Sequence, residues 1–434
     1  MKHLFKIFVL GLMVLVSGCG DWLDIKPQTE SKEDDLFAKE QGFKDALIGA
    51  YIQMKQNSLY GQNLTYTTLE YLAQHWNYSL VTYEENLSTY VYSDAIVEAT
   101  FSSVYEQWYK VILSCNNILN NIDGRKDVFT KKYYELVKGE ALAIRAFMHF
   151  DVLRLFGPTP AAVVSGERIL PYVTEVSTIP NVHITFDEYI KLLEQDMLEA
   201  ESLLAVSDPI IGDNTSLYDA AMDDFIQSRE LRVNYYALKA LMARFYLWID
   251  PKSALGGDIF TLADKTVFLS DNKALTGEWI FGISVKGLAD DVQVNFIEAR
   301  AGAKLTKTKE MVLTGLYENN TADTRRNLWK DYTSESGAIF SYLFTKYTQE
   351  GLSSLPVMRI SEMYLVAAEA APTLEEGISY FRKFRTSRDL QTLTYSTKIQ
   401  LQSDILKEYE KEFYGEGQMF YAYKRVNSPS MLWS

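Results

Sequence analysis

The sequence predicts a predominantly all-α fold of packed helix pairs, interrupted by irregular, loop-rich segments. Three observations carry that prediction. Val137, Ala141, Ile144, Met148, Val152 and Leu155 recur every three or four residues, which places them on one face of a helix. Phe101, Val104, Trp108, Val111, Cys115, Ile118 and Ile122 repeat the pattern just upstream. Small residues (Ala141, Ala143, Ala146) stand among large ones (Phe147, Phe150) in the same stretch, so a second helix can approach closely. Two amphipathic helices joined by the polar loop Asp123–Thr130 read as an αα-hairpin. Gly157 and Pro158 end the second helix, the glycine as a residue just past the last turn.

The remaining elements follow in order. A helix is expected from about Leu36 to Gln56. Thr185 to Glu188 form a capping box that opens a helix reaching about Leu204. An Ala-rich helix runs from about Arg232 to Ile249, and Pro251 ends it. Trp279–Val285 and Ile339–Tyr347 read as strands. Helical stripes return with Ile360, Tyr364, Ala367 and Ala371, then with Ile378, Phe381 and Phe384. A last helix spans about Ser403 to Tyr414, where Gly415 and Gly417 break it. Helix pairs with small residues at close contacts are the signature of tetratricopeptide-like repeats, here irregularly spaced. The scaffold is expected over 36–57, 100–156, 185–249 and 358–425, within a single domain of 36–434. Irregular binding regions are expected at 58–99 and 250–355.

The first eighteen residues read as a targeting segment. Lys2 and Lys6 precede the apolar run Ile7–Val16, which is too short to span a bilayer. Val16-Ser17-Gly18-Cys19 resembles a bacterial lipobox, implying cleavage before Cys19 and lipidation of that residue. A polar tether over 19–35 follows. Cys115, in the apolar stripe, reads as a buried small hydrophobe.

Composition narrows the function. A net charge of −14 over 434 residues argues against nucleic acid as a partner. The 29 tyrosines, 22 phenylalanines and 7 tryptophans are many; core packing accounts for most, and a surface that stacks on sugars or peptides would add to them. Between Ser58 and Tyr92 helical periodicity fails, and aromatic residues alternate with Asn and Thr. That mixture suits carbohydrate faces, and it equally suits an irregular, well-packed loop. Trp76, Asn77, Tyr78 and Tyr83, joined by Trp279 and Trp329 from the second irregular stretch, are the candidate ligand contacts. No G-x-S-x-G, H-E-x-x-H, C-x-x-C, Walker or G-x-G-x-x-G motif occurs, so no catalytic residue, metal ligand or cofactor is expected. His149 reads as a satisfied structural histidine within the central helix.

Six motifs together resemble the SusD/RagB family of outer-membrane nutrient-binding lipoproteins. They are Cys19-x-x-Trp22-Leu23-Asp24-x-x-Pro27; Trp108-Tyr109-x-x-Ile112-x-x-Cys115-Asn116; and Gly139-Glu140-Ala141-x-x-x-Arg145-Ala146-Phe147 with Leu155-Phe156-Gly157. Then come Ala237-x-x-Ala240-Leu241-x-Ala243-Arg244; Arg359-Ile360-x-Glu362-x-Tyr364-Leu365; and Glu408-x-x-x-Glu412-Phe413-Tyr414-Gly415-Glu416-Gly417-Gln418. Met419 and Ala422 depart from the family's usual Arg and Asp. The resemblance implies four tetratricopeptide-like helix pairs and an irregular ligand-binding half. It implies an outer-membrane, lipid-anchored protein facing the cell exterior, which captures oligosaccharides or, in some relatives, peptides. Its implied partner is a SusC-like TonB-dependent β-barrel transporter, for which it acts as a lid. It implies binding without cleavage; a helical glycan hydrolase is the rival reading. The family's ligand residues lie in variable loops, so none carries over.

Overall fold

Each long apolar stripe in the sequence becomes a helix in the computed structural model, and consecutive helices pack on one another. The structure describes residues 33–77, 82–218, 223–249, 272–297, 305–333 and 339–431, with the single positions 262, 268 and 270. The leader, Cys19 and most of the tether lie outside the described residues. The end of the expected tether, 33–35, already belongs to a helical turn.

Helix α1 (Glu40–Met54) packs on α2 (Ala95–Ile122), and α2 on α3 (Tyr133–Phe156). Helix α4 (Phe186–Leu204) lies against α3, then α5 (Tyr235–Ile249) against α4. The C-terminal set is α6 (Ile360–Ala370), α7 (Leu374–Ser387), α8 (Lys398–Glu412) and α9 (Met419–Arg425). Helix α5 meets α6, and α8 packs on α6, α7 and α9. The fold class is the expected one, mostly helical and tetratricopeptide-like. The capping box forms as expected: Thr185 Oγ1 accepts from Glu188 N, and Glu188 reaches back to the Thr185 N–H at 3.0 Å.

Short antiparallel strands fill the irregular part. β1 (Arg168–Leu170) pairs with β2 (Ile184–Thr185). β3 (Trp279–Ser284) pairs with β7 (Ser354–Arg359), and β4 (Thr306–Lys307), β6 (Ile339–Phe344) and β5 (Trp329–Thr333) form a sheet in the order β4-β6-β5. The two strands expected from sequence are β3 and β6, each ending short of the expected bound.

Two expectations are corrected. Helix α3 is not amphipathic: its polar residues Glu140, Arg145, His149, Asp151 and Arg154 are as buried as its apolar stripe. Each has a partner, as burial of such groups requires. Glu140 takes Arg229 and Arg232, Arg145 takes Asp196, and Asp151 takes Arg154. Gly157, secondly, has φ −83°, not a left-handed turn. Glycine is needed there for space, since a Cβ would lie 2.6 Å from Leu153 Cδ1 and 2.8 Å from the Leu153 carbonyl oxygen.

The irregular part is fastened to the helices by a buried ion network. Arg359, at the end of β7, donates to Glu278, Glu412 and Glu416. Arg388 bridges Glu278 and Glu412, while Arg325 reaches Asp323, Glu408 and Glu412. Lys346 completes it on Glu416. All these groups are at most 6% exposed. Breaking such a pair is far costlier than never having built it, so the network fixes the loops' position on the helices.

Candidate functional site

Of the six sequence-predicted ligand contacts, the five that the structure describes do not converge on a surface. Trp76, Trp329 and Trp279 are 2%, 5% and 6% exposed. Trp76 lies against Trp329, Phe344 and Tyr414 at ring separations of 6.2, 5.7 and 4.9 Å. Its indole N–H donates to the Tyr66 carbonyl, and that of Trp279 to the Ala274 carbonyl. An indole with both faces covered cannot stack on a sugar, so these three tryptophans are core residues. Asn77 is half-buried and its backbone N–H donates to Thr306, while Tyr83 is half-buried against the core. Tyr78 lies outside the described residues. The aromatic richness of the two irregular stretches is therefore mostly what joins them to each other.

A surface groove of about 630 Å³ opens elsewhere, between the start of α2 and the end of α3, a size typical of small-ligand sites. Its construction starts at Asp94, whose carboxylate accepts from the N–H groups of Ile96 and Val97 at 3.0 and 3.1 Å. This N-cap fixes where α2 begins. From there Glu98, Phe101, Ser102, Tyr105 and Glu106 follow at helical spacing along one side of the groove. The opposite wall is Leu155 and Phe156 from the end of α3, with Tyr92, Leu72 and Phe420 closing it.

The rings form a continuous aromatic surface. Tyr92 meets Phe101 edge to face at 5.7 Å, Phe101 meets Phe156 at 6.2 Å, and Phe156 meets Tyr105 at 5.3 Å. Tyr92 is 50% exposed and Phe156 37%. Tyr90 stands behind Tyr92 at 6.3 Å. Its φ of 61° lies in the left-handed region, costly for a tyrosine, and its hydroxyl donates to the Leu72 carbonyl at 3.0 Å. That turn sends the chain back across the groove and leaves Tyr92 facing it. Partial burial pushes the Tyr90 hydroxyl up to about 12 and raises that of Tyr92, so both are neutral donors near neutral pH. The groove thus offers ring faces, phenol and serine hydroxyls and two exposed carboxylates, and among the described residues no basic side chain lines it.

Helix α9 supports the wall from behind. Lys424 Nζ donates to the carbonyls of Arg154, Leu155 and Gly157 at 2.9, 3.0 and 2.8 Å. These are the orphan carbonyls at the end of α3, so Lys424 caps that helix and holds Leu155 and Phe156 in place.

Of the groove residues, Tyr92 belongs to the irregular aromatic stretch, while Phe101 and Leu155 were assigned to core stripes. One signal for the rest exists in the sequence. Phe101, Tyr105 and Tyr109 recur every four residues beside the core stripe, marking a second aromatic face on α2. Among the described residues no cluster of potential metal ligands occurs. His149 is satisfied by Tyr189 and the Val173 backbone, and burial drives its pKa down to about 3. Cys115 is a buried free thiol, pushed up to about 12 chiefly by burial.

The fold is a tetratricopeptide-like helical one that carries this aromatic groove on its surface. Residues 21–247 match the SusD-like family model described as starch-binding and associating with the outer membrane, and residues 303–434 match the SusD family model. The first match covers more than half of the chain, so this chain belongs to the SusD family, an outer-membrane-associated family. It is 27% identical over 151 residues to SusD-like protein P25 of Formosa agariphila, a match spanning 33% of this chain and 28% of that protein. Its fold resembles a SusD superfamily protein from Bacteroides thetaiotaomicron (TM-score 0.66, 21% identity, 89% of each chain). It also resembles a SusD-like carbohydrate-binding protein from Bacteroides vulgatus (TM-score 0.70, 17% identity, 89% of this chain and 83% of that one).

The structure gives the resemblance motifs a physical meaning: their polar residues are one another's buried partners. Asn116 of the second motif accepts from Arg145 of the third at 3.0 Å. Arg244 of the fourth pairs with Glu362 of the fifth. Arg359 of the fifth pairs with Glu412 and Glu416 of the sixth.

Proposed function

We propose that this protein captures oligosaccharides in the groove between α2 and α3 and passes them to a SusC-like TonB-dependent transporter, binding without cleaving. The observation that carries this reading is the run of partly exposed rings from Tyr92 through Phe101 and Phe156 to Tyr105. A sugar ring presents C–H patches to aromatic faces and hydroxyls to the acceptors around them, here Glu98, Ser102 and Glu106. The matching family is described as starch-binding and the B. vulgatus relative as carbohydrate-binding, which supports a carbohydrate over a peptide. Lipid chains on Cys19 hold the protein at the outer face of the outer membrane in this reading, and residues 36–434 act as one unit.

The test is a glycan and peptide array on the soluble mature chain, followed by titration of each hit and analysis for newly formed reducing ends. Oligosaccharide binding with the ligand recovered intact is expected. Peptide binding alone, or reducing ends that disappear on Glu98→Gln or Glu106→Gln, would overturn it.

A further inference from the structure

Where the N-terminal helices meet the C-terminal ones, four buried hydrogen-bonding groups have no partner among the described residues. They are Arg244 Nη1, the indole N–H of Trp248, and the hydroxyls of Tyr409 and Tyr421. All four residues are at least nine-tenths buried, and all four line the same cavity of about 40 Å³. Their convergence follows from helix geometry. Arg244 and Trp248 are i and i+4 on α5, so they project from one side of it. Tyr409 comes from α8 and Tyr421 from α9.

Arginine and the indole can only donate, never accept. Burial first raises the phenol pKa of both tyrosines far above the ordinary value; Glu362 near Tyr409 and Asp151 near Tyr421 add to it while the arginines oppose it, so both keep a proton to donate. Four donors aimed into one space call for an occupant that accepts. Guanidinium groups outnumber carboxylates in the wall itself. Arg154, Arg244 and Arg425 line it against one carboxylate, Glu362. Glu362 spends both oxygens on Arg244, at 2.6 and 2.5 Å. Arg154 and Arg425 keep their counter-charges, Asp151 and Glu369, outside the lining. The volume excludes anything large: at roughly 10–15 Å³ for one water, about three waters would fill it. A sugar or a phosphate ester is too big.

We propose that this cavity is a buried halide site, occupied by chloride, that ties α5 to α8 and α9. The ion accepts from Arg244, Trp248, Tyr409 and Tyr421, which belong to helices far apart in sequence. Binding only the folded chain, it raises stability with the logarithm of its concentration above Kd.

Two measurements on the full mature chain test this. Replacing gluconate by chloride at constant ionic strength should raise Tm. The doubly altered Trp248→Phe, Tyr421→Phe chain, which keeps the rings and loses two donors, should lose that increment. Crystals of the parent chain grown in bromide should give an anomalous peak within hydrogen-bonding distance of Arg244 Nη1. An equal chloride increment in parent and variant, or a cavity holding water alone in bromide, would overturn the site. The bromide crystals decide the matter even if the double variant does not fold.

Discussion

At the scale of single residues, burial decides what the aromatics do. Trp76 looks from sequence like a sugar platform and is instead the hub of a ring cluster with Trp329, Phe344 and Tyr414. Trp76→Ala should therefore cost about 3–5 kcal/mol of stability, read as a shift in the urea midpoint. Unchanged stability with weakened ligand binding would return Trp76 to the site. Beside it, His75 stacks on Tyr414 at 4.3 Å and contacts Glu70 at 2.6 Å, with Glu410 at 3.5 Å. Burial alone would lower its pKa; Glu70, with Glu410, overrides burial and raises it. A base whose folded pKa is raised adds stability that is full below the unfolded value near 6.5 and fades as pH rises through the folded value. His75→Gln should thus lose more stability at pH 5 than at pH 8, and equal losses at the two pH values would contradict the assignment. His149 acts in the opposite sense. Its folded pKa near 3 means that acid protonates only the unfolded chain, so its contribution falls from about pH 6.5 downward.

At the scale of elements, the helices were legible because each carries its own periodic stripe, and the capping box because it is local. The groove was not, because its two walls meet only after α2 and α3 pack. Phe101 and Leu155 fit a core stripe by spacing, and their partial exposure depends on where Tyr92 crosses. Nor did spacing reveal that α3 is buried all round, since Glu140 and Arg145 look like surface residues until Arg229 and Asp196 cover them. The cap on α3 is another such long-range feature, with Lys424 arriving from the last helix. Lys424→Met should cost about 2 kcal/mol, the worth of a charged donor to buried carbonyls. It should also weaken ligand binding by loosening Phe156. Loss of stability with affinity intact would separate the cap from the groove.

At the scale of the whole molecule, the buried ion network and the ring cluster hold the loops on the helical scaffold, and the Asp94 and Lys424 caps hold the groove's own walls before any ligand arrives. Such preorganisation lowers the entropy cost of binding. No described helix is long and apolar enough to cross a membrane; the proposed hand-over needs a partner that spans. Closed β-barrels can span a bilayer. Cys19→Ala should move the protein from the membrane to a soluble or unprocessed fraction, and mass spectrometry finding native Cys19 unmodified would refute the anchor. The proposed transporter complex should survive mild detergent as a pull-down containing a large barrel subunit; recovery of this protein alone, with uptake unchanged after its deletion, would contradict it.

The central claim is that the exposed rings between α2 and α3 hold the glycan. Calorimetric titration of an oligosaccharide that binds the parent chain, repeated on Tyr92→Ala, tests it most directly. One stacked ring contributes about 1 kcal/mol beyond its area, so affinity should fall about fivefold while Tm stays near that of the parent. The same affinity in both chains would place the glycan elsewhere and contradict the account.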